Sequence, residues 1–200
     1  MRPKLIKLIT KNHKSTKRNY GARMILTKSN NMKISKKYGF DYWDGNRKFG
    51  YGGYYDDGRW KSVAKKIIKK YKLNSKSKVL DIGCGKGYLV KELSSALNSK
   101  NVYGLDISRY AINKSPKIIK KNLKVFDARK KIDFNKKFDL VISINLIHNF
   151  ELKEVFSFLK NIISISKKSY ISTESYRNEK ELYNLQCWAL TCESFFSNKE

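Results

Sequence analysis

The sequence predicts an α/β fold, a doubly wound and mostly parallel sheet, on three observations. First, Val79-Leu80-Asp81-Ile82-Gly83-Cys84-Gly85-Lys86-Gly87-Tyr88-Leu89 runs from a short apolar segment through alternating glycines into a helical pattern, with Leu89, Val90, Leu93 and Leu97 on one side. Second, Phe138-Asp139-Leu140-Val141-Ile142-Ser143-Ile144 is the near-continuous apolar run of a strand buried on both faces. Third, short apolar runs alternate along the chain with amphipathic stretches, the order that gives parallel strands joined by crossover helices.

The 200 residues, 40% of them hydrophobic, fit one domain with a substantial core. No apolar run approaches the roughly 18 residues of a membrane span. The start, Met1-Arg2-Pro3-Lys4-Leu5-Ile6-Lys7, breaks its apolar residues with lysine too early for a signal peptide. A soluble, cytoplasmic protein is expected. Three cysteines, an odd number, argue against a disulfide framework, and the spacing of Cys187 and Cys192 matches no zinc pattern, so no metal site is predicted. The formal charge of +27 admits a nucleic-acid or acidic-surface partner, yet lysines spread over every segment read more as solvated faces than as one binding patch.

Taken in order, residues 1–37 carry twelve lysines and arginines and no acid, and form a basic flexible arm. It is either an electrostatic tether or a solvated extension. Residues 38–75 combine an aromatic lid with an amphipathic helix. The lid holds Tyr38-Gly39-Phe40-Asp41-Tyr42-Trp43-Asp44-Gly45 and Phe49-Gly50-Tyr51-Gly52-Gly53-Tyr54-Tyr55, whose rings can stack on a planar base or lie against a cation. The helix spans 59–73, with Trp60, Val63, Ala64, Ile67, Ile68 and Tyr71 at helical spacing.

Residues 76–200 are the core unit. A strand over 78–81 meets the turn in which Gly83, Gly85 and Gly87 let a ligand lie against the main chain, with helix N–H donors behind it. The pattern is G-x-G-x-G, distinct from the dinucleotide G-x-G-x-x-G, and no Walker Gly-Lys-Ser/Thr follows. Asp81 at the mouth of the strand repels a pyrophosphate and welcomes a cation. The second strand, 101–105, ends in Asp106, nineteen residues beyond Gly87, a carboxylate able to accept both hydroxyls of a ribose. Ser108 caps a short helix that Pro116 stops. A third strand, 124–126, leads into Asp127-Ala128, and the fourth, 138–144, into Asn145-Leu146-Ile147-His148-Asn149-Phe150. Asn149 is expected to cap the next helix, with Leu152, Val155, Phe156, Leu159, Ile162 and Ile163 inward. The fifth strand, 169–173, reaches Glu174-Ser175-Tyr176-Arg177. Asn178 with Glu181 forms a capping box for a last helix, with Leu182, Leu185, Ala189 and Leu190 inward.

Asp81-Ile82-Gly83-Cys84-Gly85-Lys86-Gly87 resembles the first motif of the class I S-adenosylmethionine-dependent methyltransferases, and Gly104-Leu105-Asp106-Ile107-Ser108 resembles their second. The resemblance implies a Rossmann-like sheet and S-adenosyl-L-methionine as cofactor. Its contacts would be Asp81, Gly83, Cys84, Gly85, Gly87, Asp106, Ile107, Asp127, Ala128 and Asn145, with Asp127 meeting the adenine amino group and Ala128 the ring face. In many members a segment before the first motif closes over the site. This implies that role for the aromatic lid and makes Tyr51, Tyr54, Arg59 and Tyr176 candidate acceptor contacts. His148 and Glu174 are the candidate catalytic residues, taking a proton from an acceptor O–H or N–H. The run from Asn145 to Asn149 carries neither the Asn/Asp-Pro-Pro-aromatic motif of base-amino methylation nor a Pro-Cys nucleophile, and looks like the small-molecule branch. The resemblance therefore implies methyl transfer to an O, N or C nucleophile of a small molecule. The alternatives are an rRNA or tRNA methyltransferase using the basic arm, and a non-catalytic binding protein. The family's terminal antiparallel hairpin has no counterpart here: either the chain is truncated, or the sheet ends early with an exposed edge for a partner subunit of a homo-oligomer to cover.

Overall fold

The computed structural model describes residues 8–9, 19–25, 27–134 and 136–199. Of the arm expected over 1–37, residues 1–7, 10–18 and 26 lie outside them. Within its described part, α1 (Tyr20–Ile25) and α2 (Lys28–Ser35) are helical, and α3 (Phe40–Trp43) follows in the aromatic segment.

Five strands make one all-parallel sheet: β1 (Val79–Ile82), β2 (Val102–Asp106), β3 (Leu123–Val125), β4 (Leu140–Ile144) and β5 (Ser169–Ser172), ordered β3-β2-β1-β4-β5. β1 is buried at all four residues and pairs with β2 on one side and β4 on the other. The chain leaves β1 toward β2 and later returns on the opposite side to form β4. Strand order therefore reverses between β1 and β4, and such a reversal opens a crevice at the carboxyl ends of the strands. Asp81 and Asn145 stand on its two sides.

Two core layers hold this frame. On one face α4 (Arg59–Tyr71) and α5 (Tyr88–Leu97) bury Val63, Ile67, Leu89, Val90 and Leu93 against Val79, Leu140 and Ile142. α6 (Arg109–Asn113) is capped as expected, the Ser108 hydroxyl accepting the Ala111 amide at 3.0 Å. On the other face α7 (Leu152–Ile165) covers Leu80, Ile82 and Val141, helped by Ile132 and Phe138.

α7 departs from the expectation in two ways. Asn149 closes a 3-10 turn, and Phe150 and Glu151 are extended, so Glu151 is the cap. Its side chain accepts the third helical amide while its own amide donates to Glu154 at 2.8 Å. The buried face is also rotated. Val155, Phe158, Ile162 and Ile165 point inward, whereas Leu152, Phe156 and Ile163 are 59%, 59% and 76% exposed and Leu159 is half-buried. Apolar residues cover about half the circumference of this helix, and periodicity alone does not say which part of so wide an arc meets the sheet.

α8 (Glu179–Trp188) packs on α1, and Asn178 accepts the Glu181 amide at 3.0 Å. The Glu181 carboxylate turns instead to the Arg177 amide at 2.9 Å, so only one arm of the expected box forms. β6 (Ser175–Tyr176) and β7 (Phe196–Ser197) pair in parallel as a separate ribbon. Among the described residues no antiparallel hairpin extends the sheet beyond β5. Among them, too, no helix is long and apolar enough to cross a membrane.

Candidate functional site

The glycine turn after β1 is tied to β2 on its inner side. The amides of Gly83 and Cys84 donate to the Leu105 carbonyl at 2.8 and 3.0 Å. The Gly85 amide donates to Asp106 Oδ2 at 2.7 Å, and Asp106 Oδ1 accepts the Ser108 amide at 2.8 Å. Asp106 is thus a brace between the two turns as well as the acid at the end of β2. Burial raises its pKa, against the opposing pull of those two amides. Gly85 sits at φ +56, and a Cβ there would lie 2.7 Å from the Trp43 ring, so both backbone and space require glycine.

Asp81 is 3% exposed and lines a cavity of about 220 Å3. Among the described residues no donor is hydrogen-bonded to its carboxylate. Burial, then the neighbouring Asp106, pushes it up to about 7. Gly83, Cys84, Gly85, Ile144 and Asn145 share this cavity. Asn145 is held at φ +52, a left-handed conformation unusual for a residue with a side chain and concentrated at functional sites. Burial pushes the Cys84 thiol well up, so it remains a neutral filler against Gly104.

The cavity's outer wall is aromatic. Trp43 and Tyr51 stack with centroids 5.2 Å apart and planes 9° from parallel. Tyr54 follows, its hydroxyl accepting the Trp60 indole N–H at 2.8 Å. Arg59 also lines the cavity, with its guanidinium forked onto Asp57 at 2.6 to 2.8 Å, which offsets its charge. Lys86, between two glycines of the turn and only 5% exposed, donates to both Asp44 oxygens at 2.6 and 2.8 Å and to the Tyr54 carbonyl at 2.6 Å.

The structure thus brings Asp81, Gly83, Cys84, Gly85, Asn145, Tyr51, Tyr54 and Arg59 around one cavity, with Gly87 capping α5 and Asp106 bracing the turn. Ile107 lies beside Asp106 and is 39% exposed, an apolar surface at the strand end. Other candidates stand apart from the cavity wall. Asp127 is forked onto Arg129 at 2.7 and 2.9 Å, which lowers its pKa, and Ala128 is buried in the α7 layer. His148 Nδ1 lies 3.1 Å from Thr173 Oγ1, and burial depresses the imidazole to about 4. Glu174 is exposed, and Tyr176 lies half-buried on β6. Sequence reasoning passed over Trp43, Asp44 and Lys86 as individuals. The available signals were an acid amid a basic N-terminal third and a lysine enclosed by glycines.

A methyltransferase-domain family model matches residues 73–200, which include the glycine turn, the brace at Asp106 and all five strands of the sheet. The chain belongs to this methyltransferase-domain family. Ribosomal RNA small subunit methyltransferase C of Buchnera aphidicola is 32% identical over 123 residues, covering 58% of this chain and 35% of its own length. A solved S-adenosylmethionine-dependent methyltransferase from Clostridium acetobutylicum is 19% identical over 61% of this chain and 52% of its own, with a TM-score of 0.51. The plantazolicin methyltransferase BpumL, solved with a pentazolic analog and SAH, reaches a TM-score of 0.54 at 19% identity, over 88% of this chain and 70% of its own. Magnesium protoporphyrin IX methyltransferase from Synechocystis PCC 6803 is 18% identical over 70% of this chain and 66% of its own, with a TM-score of 0.51. At these identities the solved structures share the methyltransferase domain's fold. The chain spans about a third of the curated relative's length and about half of the Clostridium protein's.

Proposed function

We propose that this methyltransferase domain binds S-adenosyl-L-methionine in the crevice between β1, β2 and β4, and moves its methyl group to a small-molecule acceptor. The observation that carries the reading is Asp81, a buried carboxylate that faces the cavity with no hydrogen-bond donor among the described residues. A buried charge of this kind is stabilised by a cationic partner. The glycine turn suits the same group in its backbone: Gly83, Gly85 and Gly87 hold positive φ, and at Gly85 the main chain is covered by the Trp43 ring rather than by a side chain of the turn itself.

When bound, the cofactor supplies a methyl group on a positively charged sulfur, open to in-line displacement. The protein's share is positioning and exclusion of water. Asp81 would hold the ammonium of the cofactor's amino-acid end, a charge that S-adenosylhomocysteine shares. Asp106, whose oxygens each keep a second lone pair, would accept ribose hydroxyls, and Ile107 would offer the base an apolar face. Asp127 and Ala128 are the proposed adenine contacts, with Arg129 setting the Asp127 carboxylate. Tyr51, Tyr54 and Arg59 form the acceptor side. His148 is the proposed proton acceptor in preference to Glu174, because its imidazole is half-buried and held neutral by desolvation while Glu174 is exposed. Turnover that is unchanged in both His148→Ala and Glu174→Gln would discard this acid–base role.

Calorimetry with S-adenosylhomocysteine tests the cofactor reading: wild type binds and Asp81→Asn binds at least about tenfold more weakly. A second reading, methylation of RNA, is favoured by the +27 charge and by the ribosomal RNA methyltransferase among the relatives. A labelled-methyl assay over metabolite and RNA pools separates the two. Labelling of RNA that falls steeply with salt supports the second.

A further inference from the structure

We propose that Lys86 and Asp44 are positioning residues that latch Trp43 over the seat of the cofactor's ribose, so that loading the site requires the latch to release. This rests on the reading of the 81–87 turn as the cofactor cradle.

The indole bridges the two walls of the crevice. Its ring lies against Gly85, and its N–H donates to Ser108 Oγ at 2.9 Å and to the Tyr38 carbonyl at 3.2 Å. Gly85 and Ser108 are the two residues whose amides hold the Asp106 carboxylate. The ring therefore lies across the approach to Asp106, which is left 8% exposed. A sugar whose hydroxyls reach that carboxylate must use the same approach.

What keeps the indole there is an ion pair. Asp44 follows Trp43 directly, and both of its oxygens take hydrogen bonds from Lys86, while Tyr110 adds its hydroxyl to Oδ2 at 2.8 Å. Burial would raise the Asp44 carboxyl, but those hydrogen bonds prevail and hold it below the usual range. A buried ammonium is tolerated only when its donors are paired, so Lys86 strongly favours the docked arrangement. Lys86 also belongs to the backbone turn that forms the cradle. One side chain thus couples the ligand loop to the segment that covers it. A second ion pair, Lys91 with Asp56, fastens the far end of the segment to α5.

The test uses a Trp60→Phe, Trp188→Phe background, which leaves Trp43 as the sole tryptophan. Acrylamide quenching reports its exposure, and stopped-flow mixing with S-adenosylhomocysteine reports loading. With a latch, the observed loading rate levels off at high ligand, limited by opening. Lys86→Met raises both that plateau and the Trp43 quenching constant, the plateau by about tenfold, and Lys86→Arg returns both toward wild type. The pair replacement Asp44→Leu with Lys86→Met guards against misfolding of the single variant and is expected to behave as Lys86→Met does. A rate that rises linearly with ligand, together with quenching unchanged in both Lys86→Met and the pair replacement, overturns the latch and makes Trp43 a fixed wall. Absence of ligand binding in every variant overturns the cradle reading itself, and the quenching measurement tells the two failures apart.

Discussion

Asp106, at the end of β2, accepts the Gly85 amide at 2.7 Å, so the acid of one strand fixes the ligand turn that follows its neighbour. Each of its oxygens takes one amide, from Gly85 and from Ser108. Asparagine offers one accepting oxygen, and its NH2 would face an N–H. Asp106→Asn therefore leaves a buried amide unpaired, at about 1–3 kcal/mol. Thermal unfolding should show a lower midpoint, and calorimetry with S-adenosylhomocysteine an affinity reduced about tenfold or more. If both match wild type, Asp106 neither braces the turn nor meets the ligand.

Asp81 links binding to pH. Its folded pKa, about 7, stands above the ordinary carboxyl value of 3.8, because burial and the nearby Asp106 disfavour the charge. Only the ionised form attracts a cation. Below pH 7 ligand binding must expel a proton, and affinity should fall by about tenfold per unit, levelling off above pH 7. Stability runs the other way. A raised carboxyl pKa means the native state holds its proton longer, so the contribution to stability is greatest below the unfolded value and declines as pH rises toward 7. Asp81→Asn removes that penalty. It should melt higher than wild type at pH 8, match it more nearly at pH 4, and bind weakly with little pH dependence. Melting curves and titrations across this range decide the matter, and a wild-type affinity independent of pH would remove Asp81 from the binding site.

Gly85 tests the closeness of turn and aromatic segment. Alanine there meets the Trp43 ring at 2.7 Å and must adopt φ +56. The strain and displacement together are expected to cost roughly 1–3 kcal/mol. Trp43→Ala empties a buried ring position and lowers stability by itself, so the comparison is a double-mutant cycle: Gly85→Ala should cost less in the Trp43→Ala background than in wild type, because the clash is gone while the backbone strain remains. An equal cost in both backgrounds would show that ring and turn do not press on each other in solution.

The sheet was legible because its strands are short apolar runs cut off by acids and glycines, and Asp81, Gly83, Gly85 and Asp106 lie at those cuts. Tertiary placement was less accessible. Nothing in the spacing of Lys86 and Asp44, more than forty residues apart, announces an ion pair. The start of α7 was misplaced because Asn149 is a good cap by residue type, whereas Glu151 caps through a reciprocal bond with Glu154 that propensity ranks lower. Asp127 was readable as a strand-end acid, but its pairing with Arg129 two residues on depends on how the loop turns.

The rotated face of α7 gives the last prediction. Phe158 is wholly buried against the sheet, while Phe156, two residues away, is 59% exposed. Replacing Phe158 with alanine opens a cavity among Phe150, Ile162 and their neighbours and should cost about 3–5 kcal/mol. Phe156→Ser removes apolar surface that already faces water, and should change stability by no more than about 0.5 kcal/mol in the monomer. Urea unfolding of the two variants side by side measures the contrast. Similar losses in both would mean that the outward stripe of Leu152, Phe156 and Ile163 is covered in solution. In that event the loss at Phe156, unlike that at Phe158, would grow with protein concentration if a second copy is what covers it.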